Sequence, residues 1–231
     1  MSASRDQVPA EPTWSRPSAE QLAAFRALPA TIVGDALDRM PVLDAGIAHL
    51  AGPSTLVGPA LTVLTRPGDN LAIYQALAQA VAGDVLVVAG RGCTTRALLG
   101  DLLGQLLIER GVAGVVIDGA VRDVGGLTEL GLPTFARGAC AAGPFKHGPG
   151  RVAVPVAVGG VVVQPGDLMI CDRDGVVVVP ATELDTTLDT ARILLDREAD
   201  VRLAITENRD VVSMLLSTPS APADDSRREI L

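Results

Sequence analysis

Short apolar runs, rich in valine and bounded by glycine-containing turns, constrain this chain more than any other feature. VLVVA follows Gly83-Asp84, VAGVVIDG follows Gly111, and PVAVGGVVVQPGDLMICDRDGVVVVP lies toward the C-terminal end. Such runs fall short of the roughly 18 residues of a membrane helix. Their near-continuous hydrophobicity is that of strands covered on both faces. Between the first two lies a segment with leucine at helical spacing (Leu98, Leu99, Leu102, Leu103, Leu106 and Leu107), closed by Gly111. The middle of the chain therefore reads as alternating strand and helix, and the later part as short strands separated by GG, PGD and DRDG turns.

The remaining elements follow from caps and breakers. Ser18 caps a helix ending before Pro29, and a second helix starts near Thr31 and covers GDALDRM. LVGPALTVLT reads as a buried strand and residues 70–82 as a helix. The leucine helix is expected over 97–110 and a short helix near LTEL. PTFARG is expected as a strand, and the last apolar stretch as three strands. A long helix over about 181–208 closes the domain. Residues 1–18, with Pro9, Pro12 and Pro17, read as a flexible arm, 19–210 as one α/β domain, and 211–231 as a tail.

Composition narrows the partners. Hydrophobic residues make up 48% of the chain but aromatics only 2%, and the net charge is −8 with no Lys/Arg cluster. Neither a nucleic acid nor an anionic membrane finds a matching surface, so an anionic ligand must be held by a few local donors. Cys93, Cys140 and Cys171 are far apart and odd in number, as in a reduced, cytoplasmic protein, and no secretory leader is expected. His49 and His147 lack the spacing of a zinc site or a serine triad. Neither a GxGxxG motif after a strand nor a Walker loop occurs.

One constellation carries chemistry. Asp101 opens the leucine helix, and Arg122 and Asp123 follow the VVIDG strand. Strand C-termini and helix N-termini gather ligands in alternating α/β arrangements. The N–H groups of Gly100, Asp101, Leu102 and Leu103 can receive a carboxylate, Arg122 can pair with a carboxylate or keto oxygen, and Asp123 can hold a divalent cation. Asp118 could support them. An Asp at a helix start is also an ordinary capping residue, and an Arg-Asp pair in a loop an ordinary ion pair. On these residues alone both readings stand.

ALLGDLL, GVAGVVIDGAVRD, ELGLPTFARG and GGVVVQPGDLMICDRDGVVVVP, preceded by TIVGDALDRM, LVGPALTV and AGDVLVV, resemble the 4-hydroxy-4-methyl-2-oxoglutarate (HMG) aldolase/RraA-like family over roughly residues 28–205. The resemblance implies a layered β/β/α swivelling domain, assembled as a homotrimer or hexamer with active sites between subunits. It implies a lyase, a class II pyruvate aldolase with oxaloacetate decarboxylase activity. Gly100, Asp101, Leu102, Leu103 and Arg122 would bind the oxo-acid, Asp123 would hold Mg²⁺ or Mn²⁺, and Glu198 of a neighbouring subunit, with Glu207 as substitute, would join Asp101 and Arg122 in catalysis. The family often carries an acidic residue three positions after the metal Asp; here that position is Gly126, with Glu129 one helical turn on. The family's other implied role is a non-catalytic regulator that binds an RNA-degrading endonuclease. A methyltransferase role lacks a loop suited to S-adenosylmethionine.

Overall fold

Parallel pairing of the valine runs requires the chain to cross back between them, and helices supply the crossings. The computed structural model describes residues 14–216. Strands β2 (Leu56–Thr65), β3 (Val85–Leu99), β4 (Gly114–Val121) and β5 (Thr134–Ala139) pair in parallel, connected through α3 (Leu71–Ala76), α4 (Asp101–Glu109) and α5 (Val124–Glu129). Antiparallel β1 (Ala48–Ala51) flanks β5. On the other side, the start of β2 pairs with β9 (Leu168–Cys171), which pairs with β10 (Val176–Val179), while the end of β2 pairs with β6 (Gly150–Val152). The order is β1-β5-β4-β3-β2-β9-β10, and β7 (Val156–Val158) and β8 (Val161–Val163) form a separate hairpin.

Period-2 alternation sorts side chains between layers. Leu86 and Val88 of β3 pack with Ile73, Leu103, Leu107 and Leu127 on the side of α3, α4 and α5. Val85, Val87 and Ala89 face the opposite way, against Val156, Val158 and Val163 of the hairpin and Met169, Cys171, Val176 and Val178 of the curled part of the sheet. The outer residues of that part, Leu168, Ile170, Val177 and Val179, are covered by α1 (Ala19–Arg26), α2 (Ala30–Ala36) and α6 (Leu184–Thr206) through Phe25, Val33, Leu184 and Leu188. The expected β/β/α layering is present, with a further helical layer outside it.

Gly83-Asp84 and Gly166-Asp167 build the same buried turn. Asp84 Oδ2 accepts the N–H of Val81 (2.8 Å) and Asp167 Oδ2 that of Gln164 (2.7 Å), each three residues back. Asp167 Oδ1 also accepts from Ala181 N (3.0 Å). Burial raises the carboxyl pKa of both above the ordinary 3.8, against these hydrogen bonds.

Several boundaries differ from the sequence expectations. The leucine helix starts at Asp101, because residues 97–99 complete β3. The helix expected over 70–82 is confined to Leu71–Ala76. The last apolar stretch holds four strands, β7 to β10, and β1 and β6 were not anticipated. Of the expected arm, residues 1–13 lie outside the described residues. Trp14 packs on the main core, Pro17 is buried, and Arg16 pairs with Asp84. Residues 211–216 of the expected tail form α7 (Val211–Leu216), which packs on α6, and 217–231 lie outside the described residues.

Candidate active site

Gly100 joins β3 to α4, and Arg122–Asp123 join β4 to α5. Because β3 and β4 are parallel neighbours, both junctions fall at one end of the sheet, with Leu99 paired to Val121. The Arg122 N–H donates to Leu99 O (2.8 Å), locking the junctions together. A Cβ on Gly100 would meet Asp123 Oδ2 closer than any real contact, and would lie 3.0 Å from Arg122 Nε. Glycine is therefore required here for close approach.

Asp123 adopts a left-handed backbone (φ 54°, ψ 42°) at the start of α5, and its side chain makes no capping bond. This conformation is uncommon outside glycine but tolerated by Asp. It leaves the carboxylate against Gly100 instead of on the helix it precedes. Oδ2 lies 3.2 Å from Arg122 Nε, with both side chains about 40% exposed (41% and 40%). The pair is open on one side, as a ligand site requires.

The first intrahelical bond at the start of α4 runs from Gly104 N to Gly100 O (2.9 Å), so the helix leaves the N–H groups of residues 101–103 unused. Asp101 Oδ1 takes the N–H of Leu102 (2.7 Å). Leu103 points into the core, whereas Leu102 is 73% exposed. A pocket of about 110 Å³ is lined by Leu98, Leu99, Gly100, Asp101, Leu102, Leu103 and Arg122, together with Asn70, Tyr74, Pro144 and Lys146. The last four were not singled out from the sequence. The signal available was that Lys146 is the chain's only lysine.

Gly126 meets Asp101 closely: a Cβ there would come 2.9 Å from Asp101 Cβ and 3.1 Å from its Oδ2. An acidic side chain at 126 would therefore occupy Asp101's place. Asp101, Gly126 and Glu129 line a groove of about 240 Å³ beside the pocket.

The loop carrying Lys146 is held by Asp69, whose side chain is fully buried. Its Oδ2 accepts from His147 N (2.7 Å) and Gly148 N (2.9 Å), and its Oδ1 from Leu71 N (2.9 Å). Burial opposes ionisation, but these three donors outweigh it and hold the carboxyl below the ordinary 3.8. Phe145 completes the tether, donating to Gly68 O (2.8 Å) and accepting from Asn70 N (3.0 Å).

Other candidates lie elsewhere. Asp118 is taken by Arg137, which also pairs with Asp44 (2.9 Å). Glu198 lies on α6, paired with Arg202 (2.9 Å) and outside the pocket lining of its own chain; Glu207 pairs with Arg209 (2.9 Å). His49 Nε2 contacts Gly52 O (2.9 Å), and His147 stacks on Phe145 (6.5 Å). Among the described residues no cluster of three or more His, Cys, Asp or Glu forms a metal cage, and no helix is long and apolar enough to cross a membrane. The cradle at Gly100 still suits a hard cation that takes one protein carboxylate and draws its remaining ligands from water and substrate.

A mixed α/β domain with a curled sheet, presenting a glycine-lined helix start against an Arg-Asp pair, defines a class of protein. This chain belongs to the RraA-like family, whose model, described as Aldolase/RraA, matches residues 30–178. A relative from Halalkalibacterium halodurans, named "Putative 4-hydroxy-4-methyl-2-oxoglutarate aldolase", is 41% identical over 168 residues, covering 73% of this chain and 80% of its own. An uncharacterized protein from Pseudomonas syringae pv. tomato superposes with a TM-score of 0.79 at 28% identity, covering 91% of this chain and 99% of its own. Streptomyces coelicolor RraAS2, described as an unusual member of the RNase ES inhibitor RraA protein family, superposes with a TM-score of 0.75 at 31% identity, covering 82% and 98%.

Proposed function

We propose that the chain is a divalent-metal-dependent lyase, a class II pyruvate aldolase that cleaves 4-hydroxy-4-methyl-2-oxoglutarate or a related 4-hydroxy-2-oxo acid. The observation that carries this reading is the fit of Gly100 against Arg122 and Asp123, which joins an anion-binding helix start to a cation and an open carboxylate. The relative named as an aldolase supports it.

The residues divide the work as follows. The N–H groups at the start of α4 and the Arg122 guanidinium hold the α-keto carboxylate. Asp123 would hold Mg²⁺ or Mn²⁺, which when bound supplies Lewis-acid polarisation of the keto oxygen. Arg122 adds positive charge where the enolate oxygen develops. The C3–C4 bond breaks as the C4 hydroxyl loses its proton to a water held by Asp101, and the bond's electrons pass to the pyruvyl fragment, which is then protonated at C3. Glu198 of a neighbouring protomer in a trimer or hexamer assists. With oxaloacetate the same bond breaks to release carbon dioxide, so decarboxylation uses the same pyruvyl-binding half. The test is pyruvate release from both substrates with Mg²⁺ or Mn²⁺. EDTA or Asp123→Ala abolishes it; release that persists in both cases excludes this site.

The likeness to RraAS2 favours a second reading, a regulator that binds an RNA-degrading endonuclease. The 23-residue, acid-bearing α6 beyond β10 fits the aldolase reading better. A stable nuclease complex without pyruvate release would reverse that preference.

A further inference from the structure

We propose that Lys146 is a specificity-determining residue, receiving the carboxylate carried by the part of the substrate beyond its pyruvyl half, and that Asn70 Oδ1 accepts the C4 hydroxyl. The assignment rests on the aldolase reading of the site. Lys146 lines the same pocket as Arg122 and the start of α4, so two cationic side chains face one small cavity in a chain of net charge −8. Among the described residues Lys146 has no carboxylate partner. Tyr74 holds it instead, with Nζ 5.0 Å from the ring centroid and 3.4 Å from Oη. A cation positioned by an aromatic ring instead of a carboxylate is available to an incoming anion.

Asn70 supplies the independent observation. It is 4% exposed and lines the pocket. Its Nδ2 donates to Leu98 O (3.0 Å), which fixes the amide, while Oδ1 is buried without a donor. Buried acceptors are rarely left unpaired, and those that are point to a missing donor. A substrate hydroxyl is such a donor. The Asn70 N–H to Phe145 O bond places this acceptor beside the loop that carries Lys146, so the two groups can read adjacent parts of one ligand. Arg122 and α4 then take the oxo-acid end, Asn70 the hydroxyl, and Lys146 the second carboxylate.

Titration calorimetry in Mg²⁺ with pyruvate, 2-oxoglutarate, 2-hydroxyglutarate and 2,4-dihydroxyglutarate, none of which carries both the keto group and the C4 hydroxyl that cleavage needs, decides the assignment without turnover. In Lys146→Met, 2-oxoglutarate weakens at least about tenfold more than pyruvate, and Lys146→Arg restores most of the difference. In Asn70→Leu, the advantage of 2,4-dihydroxyglutarate over 2-hydroxyglutarate disappears. Equal weakening of all four ligands, unchanged ratios, or no binding by the wild-type chain overturns the proposal. A wild-type chain that binds with these ratios but releases no pyruvate refutes the aldolase reading alone. Melting temperatures near wild type confirm that the variants are folded.

Discussion

Gly100 and Asp123 lie so close that no side-chain carbon fits between the backbone of one and the carboxylate of the other. They are held there by neighbouring parallel strands, and the contact is specific enough to test. Gly100→Ala is expected to lower pyruvate release by roughly a hundredfold, since displacing a positioned group by an ångström has an effect of that order. Circular dichroism would confirm an unchanged fold. Near-normal activity in a folded Gly100→Ala protein would remove the cradle from the mechanism.

Arg122 should resist conservative replacement. Its planar guanidinium lies beside Asp123 and over the pocket, and a lysine ammonium there cannot provide two parallel donors. Arg122→Lys is expected to reduce kcat/KM on oxaloacetate by about two orders of magnitude, close to the loss from Arg122→Ala. Full rescue by lysine would show that charge alone matters.

Gly126→Glu forces a carboxylate into the space of Asp101. The expected result is a destabilisation of roughly 1–3 kcal/mol from overpacking. Asp101→Ala should relieve part of it, so the double variant melts higher than the sum of the single effects predicts. A strictly additive cycle would mean that the two positions do not compete.

Asp69 sets an acid limit. Its folded pKa lies below the unfolded value of 3.8, so its contribution to stability is present above that value and is lost as pH falls through the folded pKa. Asp84 and Asp167 act in the opposite direction. Burial raises their folded pKa, so their contribution is full below 3.8 and is lost as pH rises through the folded value. Asp69→Asn is expected to cost about 1–3 kcal/mol at pH 7, because an amide nitrogen must face a backbone donor. Denaturant titrations at pH 7 and pH 3 should show the gap from wild type narrowing at the lower pH. A constant gap would assign the loss to packing.

Much of the candidate site was legible because its residues are adjacent in sequence. Arg122-Asp123 follows an apolar strand, whose end is visible as the point where hydrophobicity stops, and Gly100-Asp101 was read at the start of the leucine helix. The start of the leucine helix was misplaced because Leu98 and Leu99 are buried on both counts. A fully covered strand and a helix face look alike over so few residues, and the break comes only at Gly100, whose extended backbone ends β3. Asn70, Tyr74 and Lys146 were not legible. Lys146 lies in an irregular loop without periodicity, and Asn70 resembles an ordinary helix start.

The alternation of valine runs with a leucine helix was enough to specify an α/β domain of buried strands covered by helices, because apolar runs of strand length need cover on both faces. The pairing of β2 with both β3 and β9 was decided only in three dimensions, as were the fit of Gly100 against Asp123, the displacement of any acidic side chain at 126 by Asp101, and the loop that Asp69 draws across the pocket. Each depends on distances between segments far apart along the chain, and local residue pattern carries no information about such distances.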